Sequence, residues 1–117
     1  MATACLFLSW DRPYPGQHKE AFAFLTGECR ERIAKWQKDG WFESYELIGL
    51  TPHNGTTNGF VLFKGERAKL DELRRSDDFE RIAMRMGSFF NLFGVVPGVT
   101  EEGMKKVVER NQDLFKQ

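Results

Sequence analysis

The chain has 117 residues, 41% hydrophobic and 29% charged, with seventeen basic against seventeen acidic side chains and a formal charge of zero. The length suits one domain spanning residues 1–117, and the composition excludes a disordered or membrane-spanning chain. Zero net charge argues against nucleic acid or an anionic membrane as partner, because phosphate binding draws on surplus positive charge.

Residues 4–10 read as a first strand, apolar on one side and nearly so on the other. The start of the chain lacks a basic n-region and a small-residue cleavage site, so it reads as a strand and not as a signal peptide. Asp11-Arg12-Pro13-Tyr14-Pro15-Gly16 breaks the strand, since two prolines cannot continue a ladder. A long helix is expected over 17–38, with Phe22, Leu25, Cys29, Ile33 and Trp36 as its apolar stripe. Gly27 inside it costs about 1 kcal/mol against Ala and marks either close packing or a kink. Asp39-Gly40 ends the helix, with Gly40 as its left-handed cap.

A second strand over 41–50 has enough polar residues to suit a sheet edge. The turn-rich stretch 51–58 contains Asn54-Gly55, a reversal signal that predicts a hairpin with a third strand over 59–64, apolar throughout and therefore central. Residues 67–73 form a short helical stretch. Ser76-Asp77-Asp78 then starts another helix, whose stripe of Phe79, Ile82, Ala83 and Met86 runs until Gly87 closes it. The fourth strand is expected over 89–96, stopped by Pro97-Gly98. Thr100 caps a last helix with Met104, Val107, Val108 and Phe115 as its apolar side. All four strands carry apolar residues on both faces, so both faces need cover, and two helices supply only one. The other cover must come from the C-terminal segment or from a second subunit, which makes a homodimer through the sheet the expected assembly.

This order of elements, with the hairpin at Asn54-Gly55 and the Ser76-Asp77-Asp78-Phe79 helix start ahead of an apolar last strand, resembles the dimeric α+β barrel superfamily over residues 4–97. The resemblance implies an α+β subunit of ferredoxin-like βαββαβ fold, with a four-stranded antiparallel sheet and here an extra C-terminal helix. It also implies face-to-face packing of two sheets, and a ligand cavity between a sheet and its helices. The superfamily includes cofactor-free monooxygenases, haem-degrading enzymes and lactone isomerases, and a fold alone transfers none of these activities.

The residues narrow the choice somewhat. Haem-binding members use a helix histidine, whereas this chain has only His18, near the start of the first helix, and His53, in the hairpin loop. Met84 and Met86 stand in the second helix. Neither haem nor a metal site has supporting spacing. Cys5 and Cys29 sit in apolar stretches without C-x-x-C spacing and read as buried thiols of a reducing compartment, so the expected location is cytoplasmic. Nucleophile elbow, phosphate loop and dinucleotide fingerprint are all missing.

The best acid–base cluster is Asp11, Tyr14 and His18, where the first strand hands over to the first helix, a common pocket rim. Its plainer reading is an ordinary polar connection. Tyr45 and Asn91 are the notable polar residues on strands. Asn91, among Phe89, Phe90, Leu92 and Phe93, would position a ligand or satisfy a structural bond, and Trp10 would line a cavity or simply the core.

The RNA-recognition module shares the βαββαβ order. Gly59-Phe60-Val61-Leu62-Phe63 fits the second half of its third-strand pattern, but Thr56, Thr57 and Asn58 replace the basic residue, the glycine and the first aromatic. The reading carried forward is a soluble homodimer that binds a small apolar organic ligand between sheet and helices. Any chemistry would be cofactor-independent, of the monooxygenase or isomerase type, with Tyr14 and His18 as acid–base groups and Asp11, Trp10, Tyr45 and Asn91 as ligand contacts. The alternatives are a structural dimer without a pocket and a single-stranded RNA binder stacking bases on Phe7 and Phe60.

Overall fold

Alternation of burial sets the sheet. In β1 (Ala4–Trp10) the residues Ala4, Leu6, Leu8 and Trp10 are buried, while Cys5, Phe7 and Ser9 are half-buried. This is the two-residue period of a strand with one face on a core. β3 (Gly59–Gly65) repeats it with Gly59, Val61, Phe63 and Gly65 inward, and pairs antiparallel with β1, Leu6 opposite Phe63 and Leu8 opposite Val61. β2 (Ser44–Gly49) pairs with the far side of β3, and β4 (Gly94–Val99) with the far side of β1. The computed structural model, which describes residues 2–115, therefore holds one antiparallel sheet in the order β2-β3-β1-β4. The apolar third strand is central and the polar second strand lies at an edge, as their compositions predict.

The inner face carries the helices. α1 (His18–Phe24) and α2 (Arg30–Lys38) form one rod joined by a π-helical turn at Leu25–Cys29. A Cβ on Gly27 would meet nothing within 4 Å, so this glycine marks a distortion of the helix and not a close approach. Thr26 bonds back from its hydroxyl to the Phe22 carbonyl at 2.8 Å, which loosens the same turn. Gly40 adopts the expected left-handed conformation, φ 86°, just beyond the rod. The chain then drops Phe42 onto Phe63, ring centroids 4.5 Å apart, before pairing starts. β2 therefore begins at Ser44 and not at 41.

α3 (Arg67–Arg74) and α4 (Asp77–Phe89) meet at Ser76. Its hydroxyl accepts from the Phe79 N–H at 3.1 Å and donates to the Leu73 carbonyl at 2.7 Å. The indole Nε1 of Trp36 donates to Asp78 Oδ2 at 2.8 Å, and Arg32 lies 3.5 Å from the same oxygen, tying α2 to the start of α4. Phe63, Phe90, Leu6, Ile33, Leu73 and Met86 are the most deeply buried large side chains.

The end of α4 corrects the expected strand over 89–96. The helix passes through Gly87 to Phe89, and Phe90, fully buried, makes an isolated bridge with Pro13. Leu92, at φ 52°, turns the chain, and pairing begins only at Gly94. Pro97-Gly98 lies inside β4 instead of stopping it. The Thr100 N–H bonds to the Thr3 carbonyl at 3.2 Å and continues the ladder. By alternation Pro97 then points its nitrogen away from β1, where an edge strand loses no bond.

Among the described residues no helix layer covers the outer face of the sheet. Phe7, Phe60 and Leu62 stay half-buried there, and Val96 is 56% exposed. α5 (Glu101–Arg110) and the short α6 (Gln112–Phe115) leave from the β4 edge. Thr100 anchors them, accepting from the Gly103 N–H and donating to the Ala2 carbonyl at 2.8 Å. The extents of 55 × 36 × 20 Å match this shape, with the shortest being one sheet plus one helix layer. Met104 and Val108 of the expected apolar side are exposed, and the side chain of Phe115 lies outside the described residues.

Candidate functional site

The segment that follows β1 cannot continue the ladder, and its backbone bonds go elsewhere. The Asp11 N–H donates to the Asn91 carbonyl, the Asn91 N–H to the Arg12 carbonyl and the Tyr14 N–H to the Phe89 carbonyl, at 2.9, 3.0 and 2.9 Å. A turn through Gly16, φ 81°, then starts α1 at His18. This lacing brings Asp11 and His18 onto one hollow of about 280 Å³, closed on the other side by Pro52, His53 and Asn58 of the β2–β3 loop.

A second hollow of about 230 Å³ adjoins it, sharing Phe22, Pro52 and Asn58. Its remaining walls are nearly all apolar: Trp10, Leu25, Leu47, Ile48 and Leu50, with Gly49 at its edge. Trp10 is 2% exposed and packs against Phe90 at 5.7 Å between ring centroids. Its indole lies over Gly59, where a Cβ would come within 2.7 Å of the ring. Glycine at 59 is therefore what lets the tryptophan fold back and wall the hollow.

The loop is held in place by His53. Its Nδ1 accepts from the Gly55 N–H at 2.8 Å, so Nε2 carries the proton and donates to the Thr57 carbonyl at 2.6 Å. Arg12 Nη2 donates to the His53 carbonyl at 3.3 Å. Gly55 is required by the imidazole, which would lie 2.8 Å from a Cβ there, and neither Asn54 nor Gly55 has a positive φ. The hairpin exists, but its connection is a loop folded around a histidine and not a tight two-residue turn. With both ring nitrogens engaged, His53 is a structural residue, whereas no hydrogen bond or ion pair engages the side chains of Asp11 or His18 among the described residues.

Of the residues singled out from sequence, Asp11 and His18 share one hollow and Trp10 walls the next. Tyr14 is 40% exposed and does not line either. Tyr45 sits toward the far end of β2, edge-on to Phe42 at 6.1 Å. Asn91 is exposed in the turn after α4 and not buried on a strand, because Phe89 and Phe90 enter the core from a helix end. Asn58 carries no signal of a site in the sequence, and only the pairing of Trp10 with Gly59 brings it to the lining of both hollows.

Burial pushes the Cys29 thiol up to about 12, with the Glu28 carboxylate adding to the shift; desolvation also raises Cys5, against the opposing pull of Lys64. Both thiols are thereby poor nucleophiles. Among the described residues no group of three or more His, Cys, Asp or Glu side chains could hold a metal ion, and no helix is long and apolar enough to cross a membrane.

No family model matches the chain, and no curated protein matches it either. Solved structures do. An ethyl tert-butyl ether degradation (EthD) family protein from Bacillus halodurans superposes with a TM-score of 0.63 at 12% identity, covering 82% of this chain and 96% of that one. A dimeric protein of unknown function and ferredoxin-like fold from Bacteroides fragilis gives 0.61 at 7% identity, covering 83% and 96%. A conserved protein from Methanosarcina mazei gives 0.59 at 15% identity, covering 82% and 91%. At such identities the likeness shows the fold: this chain is an α+β protein with the ferredoxin-like arrangement found in EthD-type and dimeric neighbours.

Proposed function

We propose that this protein binds a small, largely apolar organic molecule at the end of its sheet and works as a homodimer. One observation carries the reading: an apolar hollow walled by Trp10, Phe22 and Leu47 shares Phe22, Pro52 and Asn58 with a neighbouring polar one lined by Asp11 and His18. Small-ligand sites have this makeup, apolar walls with a few convergent polar groups. The apolar body would sit against the tryptophan, and its polar end would face the carboxylate, the imidazole and the Asn58 amide.

The chemistry open to such a pair is proton transfer. His18 or Asp11 would take a proton from a ligand carbon next to a carbonyl, the first step shared by cofactor-independent isomerisation and oxygenation. Tyr14 contributes only if the segment after β1 rearranges. For the assembly, the support is the uncovered apolar outer face, together with the dimeric Bacteroides neighbour. Phe7 and Phe60 lie 5.3 Å apart on that face, the place where an RNA-recognition sheet would stack bases. A monomer in solution that binds single-stranded RNA would favour that reading instead.

The test is thermal stabilisation by a panel of apolar ketones, lactones and aromatic carbonyl compounds. A compound present at a hundred times its Kd adds about 2.7 kcal/mol to the native state. Gly49→Val serves as the blocking variant: a Cβ there meets nothing within 4 Å, so the fold tolerates it while the side chain enters the hollow. Stabilisation of the wild type that is lost in Gly49→Val supports the site. No stabilisation by any compound, or stabilisation unchanged in the variant, removes it.

A further inference from the structure

We propose a second, separate binding site, for a small organic carboxylate with an apolar body, in the hollow between α3 and the edge strand β4. The helix layer ends at α3, and among the described residues the inner side of β4 is only partly covered at its C-terminal half, where Gly103 at the start of α5 comes up against Val99. Pro97 and Val99 are exposed although the register places them opposite the buried Leu6 and Ala4. The space left is about 350 Å³, larger than either hollow near Trp10.

Its charge is one-sided. Arg67, Arg74 and Arg75 line it against a single carboxylate, Asp71, in a chain whose net charge is zero. Arg67, Asp71 and Arg74 recur at four- and three-residue steps on the flank of α3 that faces β4, while Leu70 and Leu73 point into the core. The one ion pair is slack, Arg67 Nε to Asp71 Oδ2 at 3.9 Å with the arginine side chain 78% exposed, and such a pair is easily exchanged. Arg74 and Arg75 make no ion pair among the described residues. Their place at the helix C-terminus suits positive charge, and no hydrogen bond to another described residue engages their guanidinium groups. A carboxylate matches that fork geometry in a way a neutral group cannot. The apolar floor of Leu70, Pro97 and Val99 would take a ring or short alkyl body.

The experiment is amide chemical-shift mapping of the wild-type chain titrated with benzoate, with its neutral isostere benzamide and with inorganic phosphate. Benzoate is expected to shift Leu70, Arg74, Gly98 and Val99, to bind at least about tenfold more tightly than benzamide, and to weaken at high salt. Arg74→Gln is expected to weaken it about tenfold while leaving the folded spectrum intact, since that side chain is not part of the core. Arg67→Gln checks the other end of the fork. Equal binding of benzoate and benzamide, phosphate binding as tightly as benzoate, or no effect of either substitution would overturn the proposal. Shifts confined to Gly49 and Asn58 would overturn it too, and would assign the ligand to the Trp10 hollow. Binding here with no ligand found there leaves this site standing without the other.

Discussion

Gly59→Ala tests how closely the tryptophan wall is built. The added Cβ would lie 2.7 Å from Trp10 Cζ2 and 2.8 Å from both Cε2 and Nε1, closer than such atoms approach. Trp10 cannot swing away freely, being 2% exposed and packed on Phe90. Overpacking of this kind costs about 1–3 kcal/mol, which for a chain of this size lowers Tm by roughly 3–10 °C. Urea unfolding followed by far-UV circular dichroism gives the cost from the midpoint at constant slope. The cause is isolated by Trp10→Phe, which removes the atom of closest approach, Cζ2, and leaves a smaller ring with room to shift. The double variant Gly59→Ala/Trp10→Phe should therefore be more stable than the two single costs combined predict, by at least about 0.5 kcal/mol. A Gly59→Ala cost below about 0.5 kcal/mol, or strict additivity in the double variant, would refute the steric account.

Three further outcomes are expected. Leu62→Glu, on the open sheet face, should turn the proposed dimer into a folded monomer by light scattering, because an unpaired carboxylate buried between two sheets costs about 3 kcal/mol or more; a dimer that persists would move the interface elsewhere. Ser76→Ala should lower unfolding free energy by about 1 kcal/mol, the usual worth of an N-cap, measured in urea. Cys29 supplies a pH signature. Its thiol is raised to about 12 when folded, against an ordinary 9.0, so the unfolded chain releases the proton first and stability falls as pH rises above 9. The slope from this group is at most about 1.4 kcal/mol per pH unit. The wild type should thus lose more stability than Cys29→Ala between neutral and strongly alkaline pH, and parallel losses in the two would contradict the assignment.

Much of the fold was legible from sequence, and the misreadings have physical causes. β1 and β3 stood out because each is a short continuous apolar run with aromatic residues, bounded by turn-forming residues; the alternation of their burial came only with the sheet. The start of α4 was clear because Ser76 and two acidic residues make a local cap. Its end was not. Phe89 and Phe90 are as compatible with a strand as with the last turn of a helix, and only the space beside Pro13 and Trp10 decides between them. Asn91 was displaced with them. Pro97-Gly98 looked like a stop, because a strand position with its nitrogen turned outward exists only once β4 is known to be an edge.

The candidate site divides in the same way. Asp11 and His18 were visible as neighbours because the prolines and Gly16 force a short return between strand and helix. His53 and Asn58 are not legible as part of it, since they lie on a loop some forty residues away whose shape follows from one imidazole bonded at both nitrogens, and Arg12 takes its role only by bonding to that loop.

What the sequence by itself determined was the succession of elements and the presence of apolar residues on both sheet faces, properties set by local periodicity. Which face the helices took, how far the C-terminal arm stands off the sheet, and which side chains border each hollow were decided only by the tertiary structure. Those depend on contacts between residues far apart in the chain, where the size of a ring over Gly59 or the partial cover of β4 outweighs any local preference.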